Sequence, residues 1–210
     1  MTPEAFAAEA GVSRETLDRL RVYADLLVKW NRRINLVGRS TLPDLWRRHM
    51  LDSAQLYPLL PARARSLVDL GSGAGFPGMV LAIMGVPDAH LIESDRRKCA
   101  FLRAVARATG TPVTIHAGRI ESVPGFAADV IVSRALAELA QLLDLAENFL
   151  GKHSILLFLK GRGVDLELTR AAERWKMRVR KVPSRTDSEG SILRLEAISR
   201  ALRAPEPPGR

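Results

Sequence analysis

Ser66-Leu67-Val68-Asp69-Leu70-Gly71-Ser72-Gly73-Ala74-Gly75-Phe76-Pro77-Gly78 is the stretch on which the fold turns. A short apolar run carries one acid, three glycines alternate with small residues, and a proline opens a second apolar run. Strand, tight turn and helix start are written here in that order. Gly71, Gly73 and Gly75 remove side chains where a ligand must approach backbone. Pro77 suits a first helical position, where its missing N–H would have no partner anyway. The free N–H groups of such a turn face polar or anionic groups lying across the strand ends. The stretch reads as a cofactor cradle.

Upstream, residues 1–65 read as helical. Ser13 supplies a cap, and Leu20, Tyr23, Leu27, Trp30, Ile34 and Val37 recur at helical spacing, with Gly38 placed to end the run. A second helix is predicted from about Pro43 to Leu60, with His49 and Asp52 on one side and Pro58 and Pro61 at its end. Downstream of Ser66, short apolar strands alternate with helices, the mark of a parallel sheet. Strands are predicted at 68–71, 90–93, 113–116, 129–133 and 154–160. Helices are predicted at 77–84, from 94 or 95 to about 109, at 136–150 and at 164–177. A final hairpin is expected from 178–182 and 191–198. The expected fold is α/β: a Rossmann-like, seven-stranded, mainly parallel sheet of the class I methyltransferase order. Helices 1–65 form an extension packed on a catalytic domain of 66–200, and 201–210, rich in proline, is expected to be a disordered tail.

Composition narrows the partner. The 210 residues carry a net charge of +9, divided as +4 in 1–65, −2 in 66–150 and +7 in 151–210. A polyanion gripped by the flanks, beside a cofactor held in the middle, fits that division; dispersed solubilising charge is the plainer alternative. The lone cysteine, Cys99, fits a reducing compartment. With no secretory pattern at the N-terminus and no apolar run of membrane-spanning length, the cytoplasm is expected, with no membrane partner. The histidines show no ligand spacing, so no metal is expected. A monomer is expected.

Glu93 ends the second predicted strand, 22 residues beyond Gly71. An acid about 20 residues after the first glycine accepts hydrogen bonds from ribose hydroxyls, which points to an adenosine-containing cofactor. A dinucleotide frame G-x-G-x-x-G does fit Gly73 to Gly78, but it puts Pro77 and Gly78 inside the helix entry and is the weaker frame. The P-loop fails, because Met79-Val80 follow Gly78. Acid-x-Gly-x-Gly-x-Gly, Asp69 to Gly75, is the pattern of S-adenosylmethionine enzymes.

Further stretches carry a specific resemblance: Trp30-Asn31-x-x-Ile34-Asn35-Leu36, Arg48-His49-x-Leu51-Asp52-Ser53, Gly118-Arg119-Ile120-Glu121 and Ser133-Arg134-Ala135. With the glycine stretch, from about residue 13 to 198, the chain resembles the bacterial 16S ribosomal RNA (guanine-N7) methyltransferase G family, also called glucose-inhibited division protein B. The resemblance implies methyl transfer from S-adenosylmethionine to guanine 527 of 16S rRNA, with the RNA or the small ribosomal subunit as partner. It implies that Gly71, Phe76, Ile120, Glu121 and Arg134 line the cofactor site, to which the residue-level reading adds Gly73, Gly75 and Glu93.

Guanine N7 has a lone pair and no proton to lose, so positioning suffices and no catalytic acid or base is nominated. A cytosine- or uracil-carbon methylase would need a cysteine near the fourth strand, whereas Cys99 falls in a helix. Amino-group methylases commonly carry Asn/Asp-Pro-Pro-aromatic where this chain has Ser133-Arg134-Ala135-Leu136. For gripping RNA the candidates are Arg97, Lys98, Arg119, Lys160, Arg162 and Arg194; Arg134 faces either cofactor or RNA. His49 and Asp52 are read as an internal hydrogen-bonded pair ahead of the alternative, a functional contact, and Trp30 is read as core. A methyltransferase acting on another RNA or a small molecule is the alternative. An RNA-binding protein that only retains the fold is the third reading.

Overall fold

The computed structural model describes residues 1–134 and 136–201; the predicted tail falls almost wholly outside them, as does Ala135. Strands β1 (Ser66–Leu70), β2 (Asp88–Glu93), β3 (Val113–Ala117), β4 (Ala128–Arg134), β5 (Leu150–Lys160), β6 (Trp175–Pro183) and β7 (Ser191–Arg200) form one sheet. Their order is β3-β2-β1-β4-β5-β7-β6. The first five pair in parallel, and β7 runs antiparallel between β5 and β6. This is the expected α/β arrangement. It places the switch point between β1 and β4, so the turns after these strands open on a crevice.

Side chains alternate along each strand and divide the core between the two faces. Val68 and Leu70 of β1 pack with Leu139, Leu142 and Leu143 of helix α6 (Leu139–Ala146). On the other face Met79, Val80 and Phe101 share one cluster with Phe6, Leu20, Tyr23 and Leu27. Those residues come from α1 (Pro3–Ala10), α2 (Arg14–Asn31), α4 (Gly78–Ile83) and α5 (Arg96–Thr109). The N-terminal helices therefore complete the core on that side.

Several boundaries differ from the sequence expectation. The helix predicted to run to Val37 ends at Asn31, because the Asn31 side chain accepts from Leu36 and Val37 N–H and donates to Val37 C=O. That amide satisfies a tight loop that a continued helix would have left unmade. Instead of one helix, 43–60 is broken: a 3-10 turn at Arg39–Asp44, a π-helical turn at Trp46–Leu51, the short α3 (Asp52–Ala54) and a 3-10 turn at Tyr57–Leu59. Pro77 precedes α4 rather than opening it, and Asp69 Oδ2 accepts from the Gly78 N–H at 3.0 Å. α7 spans Val164–Ala172, because Trp175, 2% exposed, begins β6 instead of prolonging the helix.

Candidate functional site

The turn after β1 works as its glycines imply. Gly71 has φ +67°, and a Cβ there would lie 2.7 Å from Leu136 Cδ1. The Gly73 N–H donates to Glu93 Oε2 at 2.8 Å, while Glu93 Oε1 accepts from Asp95 N–H at 2.7 Å. One carboxylate thus ties the β1 turn to the β2 turn and is itself fixed. Its remaining lone pairs are available to hydroxyl donors. Asp95 caps α5, accepting from Arg97 and Lys98 N–H.

These turns wall a cavity of about 390 Å³. Gly71 and Gly73 line one side, Ile92 and Glu93 the next, and Gly118 to Glu121 after β3 the third. Gln141 and Leu145 of α6 close it. An adenosine-containing ligand fits this donor and acceptor set: glycine backbone, an anchored carboxylate, and apolar surface from Ile92, Ile120 and Leu145. Gly71, Gly73, Glu93, Ile120, Glu121 and Arg134 all lie on this wall.

Gly75 and Phe76, expected on this wall, do not line it. Gly75 is packed: a Cβ would stand 2.7 Å from Tyr23 Oη and 2.8 Å from Met79 Cβ. Phe76, 3% exposed, is stacked between Tyr23 and His49, with ring centroids 5.3 and 5.1 Å away, and the Arg134 guanidinium lies 5.0 Å from its centroid. Phe76 supports the site from behind.

Arg134 ends β4 on the wall shared with a second cavity, of about 370 Å³. Its Nη2 donates to His49 Nδ1 at 3.0 Å, and its Nη1 to Asp52 Oδ2 and Arg48 C=O, both at 3.2 Å. His49 and Asp52 are therefore not a pair with each other; each holds Arg134. Thr41 gives its hydroxyl proton to Gly38 C=O at 2.7 Å, so His49 Nε2–H must donate to Thr41 Oγ1. Nδ1 is left as the acceptor that Arg134 needs. Burial, with Arg134 and Arg48 beside it, holds His49 down at about 4, so the ring is neutral near pH 7. Asp52 Oδ1 is in turn fixed by Thr186 Oγ1 and Gln55 Nε2. The sequence favoured a pairing of His49 with Asp52 over a functional contact and did not name either as a site residue; the π turn that brings both to Arg134 has no sequence periodicity of its own.

Asp69 lies beneath the same turn, fully buried, its Oδ1 without a hydrogen-bond partner. Burial pushes its carboxyl up to about 7, against the pull of the Gly78 N–H and Arg134. The folded chain thus keeps a proton that the unfolded chain, titrating at 3.8, has released. This group's stabilisation is full below the unfolded value and is lost as pH rises through about 7. The slope is about 1.4 kcal/mol per pH unit within that window. Urea unfolding from about pH 5 to about pH 8 should show this decline in the wild type and a flatter profile in Asp69→Asn; parallel profiles would refute the assignment.

The proposed RNA-gripping cations separate. Lys98 and Arg119 line the first cavity. Arg97 pairs with Asp95 and borders a different cavity, of about 450 Å³, beside Trp30 and Lys29. Lys160 is corrected outright: its side chain is 6% exposed, and it pairs with Glu167 and donates to Ala137 C=O. Arg194 pairs with Glu196 and reaches Leu59 C=O, so it too is occupied in the fold. Arg162 is exposed and pairs with Glu189. Two histidines distant in sequence, His90 and His116, meet at 3.0 Å across β2 and β3. Among the described residues no group of three or more His, Cys, Asp or Glu is placed to hold a metal ion, and no helix is long and apolar enough to cross a membrane.

The family model described as rRNA small subunit methyltransferase G matches residues 16–192. A ribosomal RNA small subunit methyltransferase G of Paramagnetospirillum magneticum is 60% identical over 98% of this chain and 100% of its own. One of Rhodospirillum centenum is 61% identical over 92% of this chain and 90% of its own. Among solved structures, a SAM-dependent methyltransferase from Aquifex aeolicus superposes with a TM-score of 0.56 at 16% identity, covering 74% of this chain and 93% of that one, a likeness of fold. With a glycine turn, an anchored strand-two acid and a match over most of its length, the chain belongs to the rRNA small subunit methyltransferase G family.

Proposed function

We propose that the protein transfers a methyl group from S-adenosylmethionine to N7 of a guanine in 16S rRNA, guanine 527 by resemblance. The observation that carries the choice of atom is the group at the end of β4. A guanidinium stands there, held by His49 and Asp52, and a guanidinium cannot take up a proton. Such a site suits an acceptor nitrogen that already carries a free lone pair. Cys99 is buried in α5 with its Sγ toward Glu93 C=O, which fits packing and not nucleophilic attack.

S-adenosylmethionine supplies, when bound, an electrophilic methyl on a sulfonium. Glu93 would hold the ribose hydroxyls, with Gly71 and Gly73 offering backbone to the rest of the ligand. Ile120 and Leu145 would cover apolar surface and exclude water. Arg134, with its charge balanced by Asp52, would set the wall against which the acceptor is aligned. Arg119, together with exposed cations such as Arg47, would meet phosphates, so RNA engagement should weaken steeply with salt.

The test supplies methyl-labelled S-adenosylmethionine to small subunits, free rRNA and tRNA from a strain lacking the enzyme. N7-methylguanine is then mapped by base-labile strand cleavage. The label is expected at a single guanine of 16S rRNA. Label appearing only in tRNA or protein would overturn the reading.

A further inference from the structure

The second cavity has no role in holding the cofactor as placed above, and its lining differs in origin. The first cavity is built from residues 71–145, within the net-acidic middle of the chain. The second is built from Leu36 to Gly38, Arg48, His49 and Asp52 on one side and Thr186 and Asp187 on the other. Those segments belong to the two net-basic flanks. Arg134 alone lines both cavities. A pocket formed by the parts that should face a polyanion, sharing one wall with the cofactor cleft, is placed to receive the acceptor.

We propose that this cavity takes the target guanine, turned out of its RNA stack, with N7 directed past Arg134 toward the first cavity. The proposal rests on the methyltransferase reading above and specifies its acceptor subsite. Its volume, about 370 Å³, lies in the range of small-ligand pockets and admits a single base. Enzymes that modify a base extrude it into such a pocket.

The polar lining matches guanine. Its N1–H and exocyclic amine are adjacent donors, its O6 an acceptor. Asp52 and Asp187 offer carboxylate acceptors, and Arg48 and Arg134 offer guanidinium donors. Adenine presents an acceptor at N1, which a carboxylate repels. Neutral His49 adds no positive charge beside Arg134. In the transfer itself the N7 lone pair forms the new C–N bond as the methyl–sulfur bond breaks with its electrons going to sulfur. The positive charge passes from sulfur to the purine and no proton moves. The Asp52 and Asp187 carboxylates on the cavity wall offset the Arg48 and Arg134 guanidiniums, so the arriving charge is not added to a net-positive pocket.

Gly38 gives a clean way to fill the pocket. It lines the cavity, and a Cβ there would meet nothing nearer than Thr41 Cγ2 at 3.8 Å, so a larger side chain is tolerated by the backbone. In Gly38→Phe, methyl transfer to unmethylated small subunits should fall about 100-fold, while S-adenosylmethionine affinity by calorimetry stays within about twofold. Transfer by a folded, cofactor-binding Gly38→Phe at the wild-type rate would overturn the proposal.

A second arm does not depend on rRNA being the substrate. Guanosine monophosphate, titrated into the cofactor-saturated protein, should shift the amide resonances of Val37, Gly38 and Thr186 in the wild type and not in Gly38→Phe. Adenosine monophosphate should do so more weakly. Those shifts without labelling of rRNA would keep the pocket and discard the rRNA reading. Shifts confined to the first cavity would discard the pocket.

Discussion

Gly75→Ala is expected to destabilise the protein by about 3 kcal/mol, a large share of a typical folding free energy. Two causes add. The residue has φ +96°, a conformation that costs an L residue about 1–2 kcal/mol. The new methyl would also stand 2.7 Å from Tyr23 Oη, 2.8 Å from Met79 Cβ and 3.0 Å from Leu102 Cδ2, and overpacking of a filled core costs about 1–3 kcal/mol. Gly11 separates the two causes. It has φ +66°, with nothing within 4 Å of an added Cβ, so Gly11→Ala should cost only about 1 kcal/mol. Urea midpoints of both variants decide the matter. Equal losses would mean that backbone strain alone explains Gly75 and that the Tyr23 contact is easily relieved.

Glu93→Ala should raise the dissociation constant for S-adenosylmethionine about 100-fold, or about 2.7 kcal/mol. The carboxylate has two duties, as acceptor for the ligand and as the tether that draws Gly73 N–H and Asp95 N–H together. Removing it takes away the ribose acceptor and loosens the turn that presents backbone to the ligand. Calorimetry gives the affinity, and thermal unfolding without ligand gives the loss of the tether. A variant that unfolds earlier yet binds the cofactor normally would make Glu93 a structural clasp only.

The strand–turn–helix at Ser66 to Gly78 and the succession of strands were legible because both are written in local pattern: glycine spacing, alternation, and an acid at a strand end; the order of the strands in the sheet came only by analogy with class I methyltransferases. What the glycine spacing could not tell is which side of the turn each residue faces. Gly71 and Gly73 open on the cavity, while Gly75 and Phe76 turn into the N-terminal helices. Lys160 misled for a related reason. A lysine after a strand suggests solvent, but its partner Glu167 arrives from α7 after the chain has turned back. His49 and Asp52 were readable as neighbours at helical spacing. Their real relation, two holders of one arginine more than 80 residues away, depends on a π-helical turn and on β4 ending where it does.

The stack of Tyr23, Phe76 and His49, closed by Arg134, joins four segments of chain behind the cavities. Its consequence concerns portability. Moving the glycine turn and the strand ends onto another sheet of the same order would carry the cofactor cleft but leave Phe76 without either neighbour and Arg134 without its anchors. The N-terminal helices are therefore part of the inheritance of this site: a graft or truncation that omits them transplants a binding turn and leaves behind the groups that aim it.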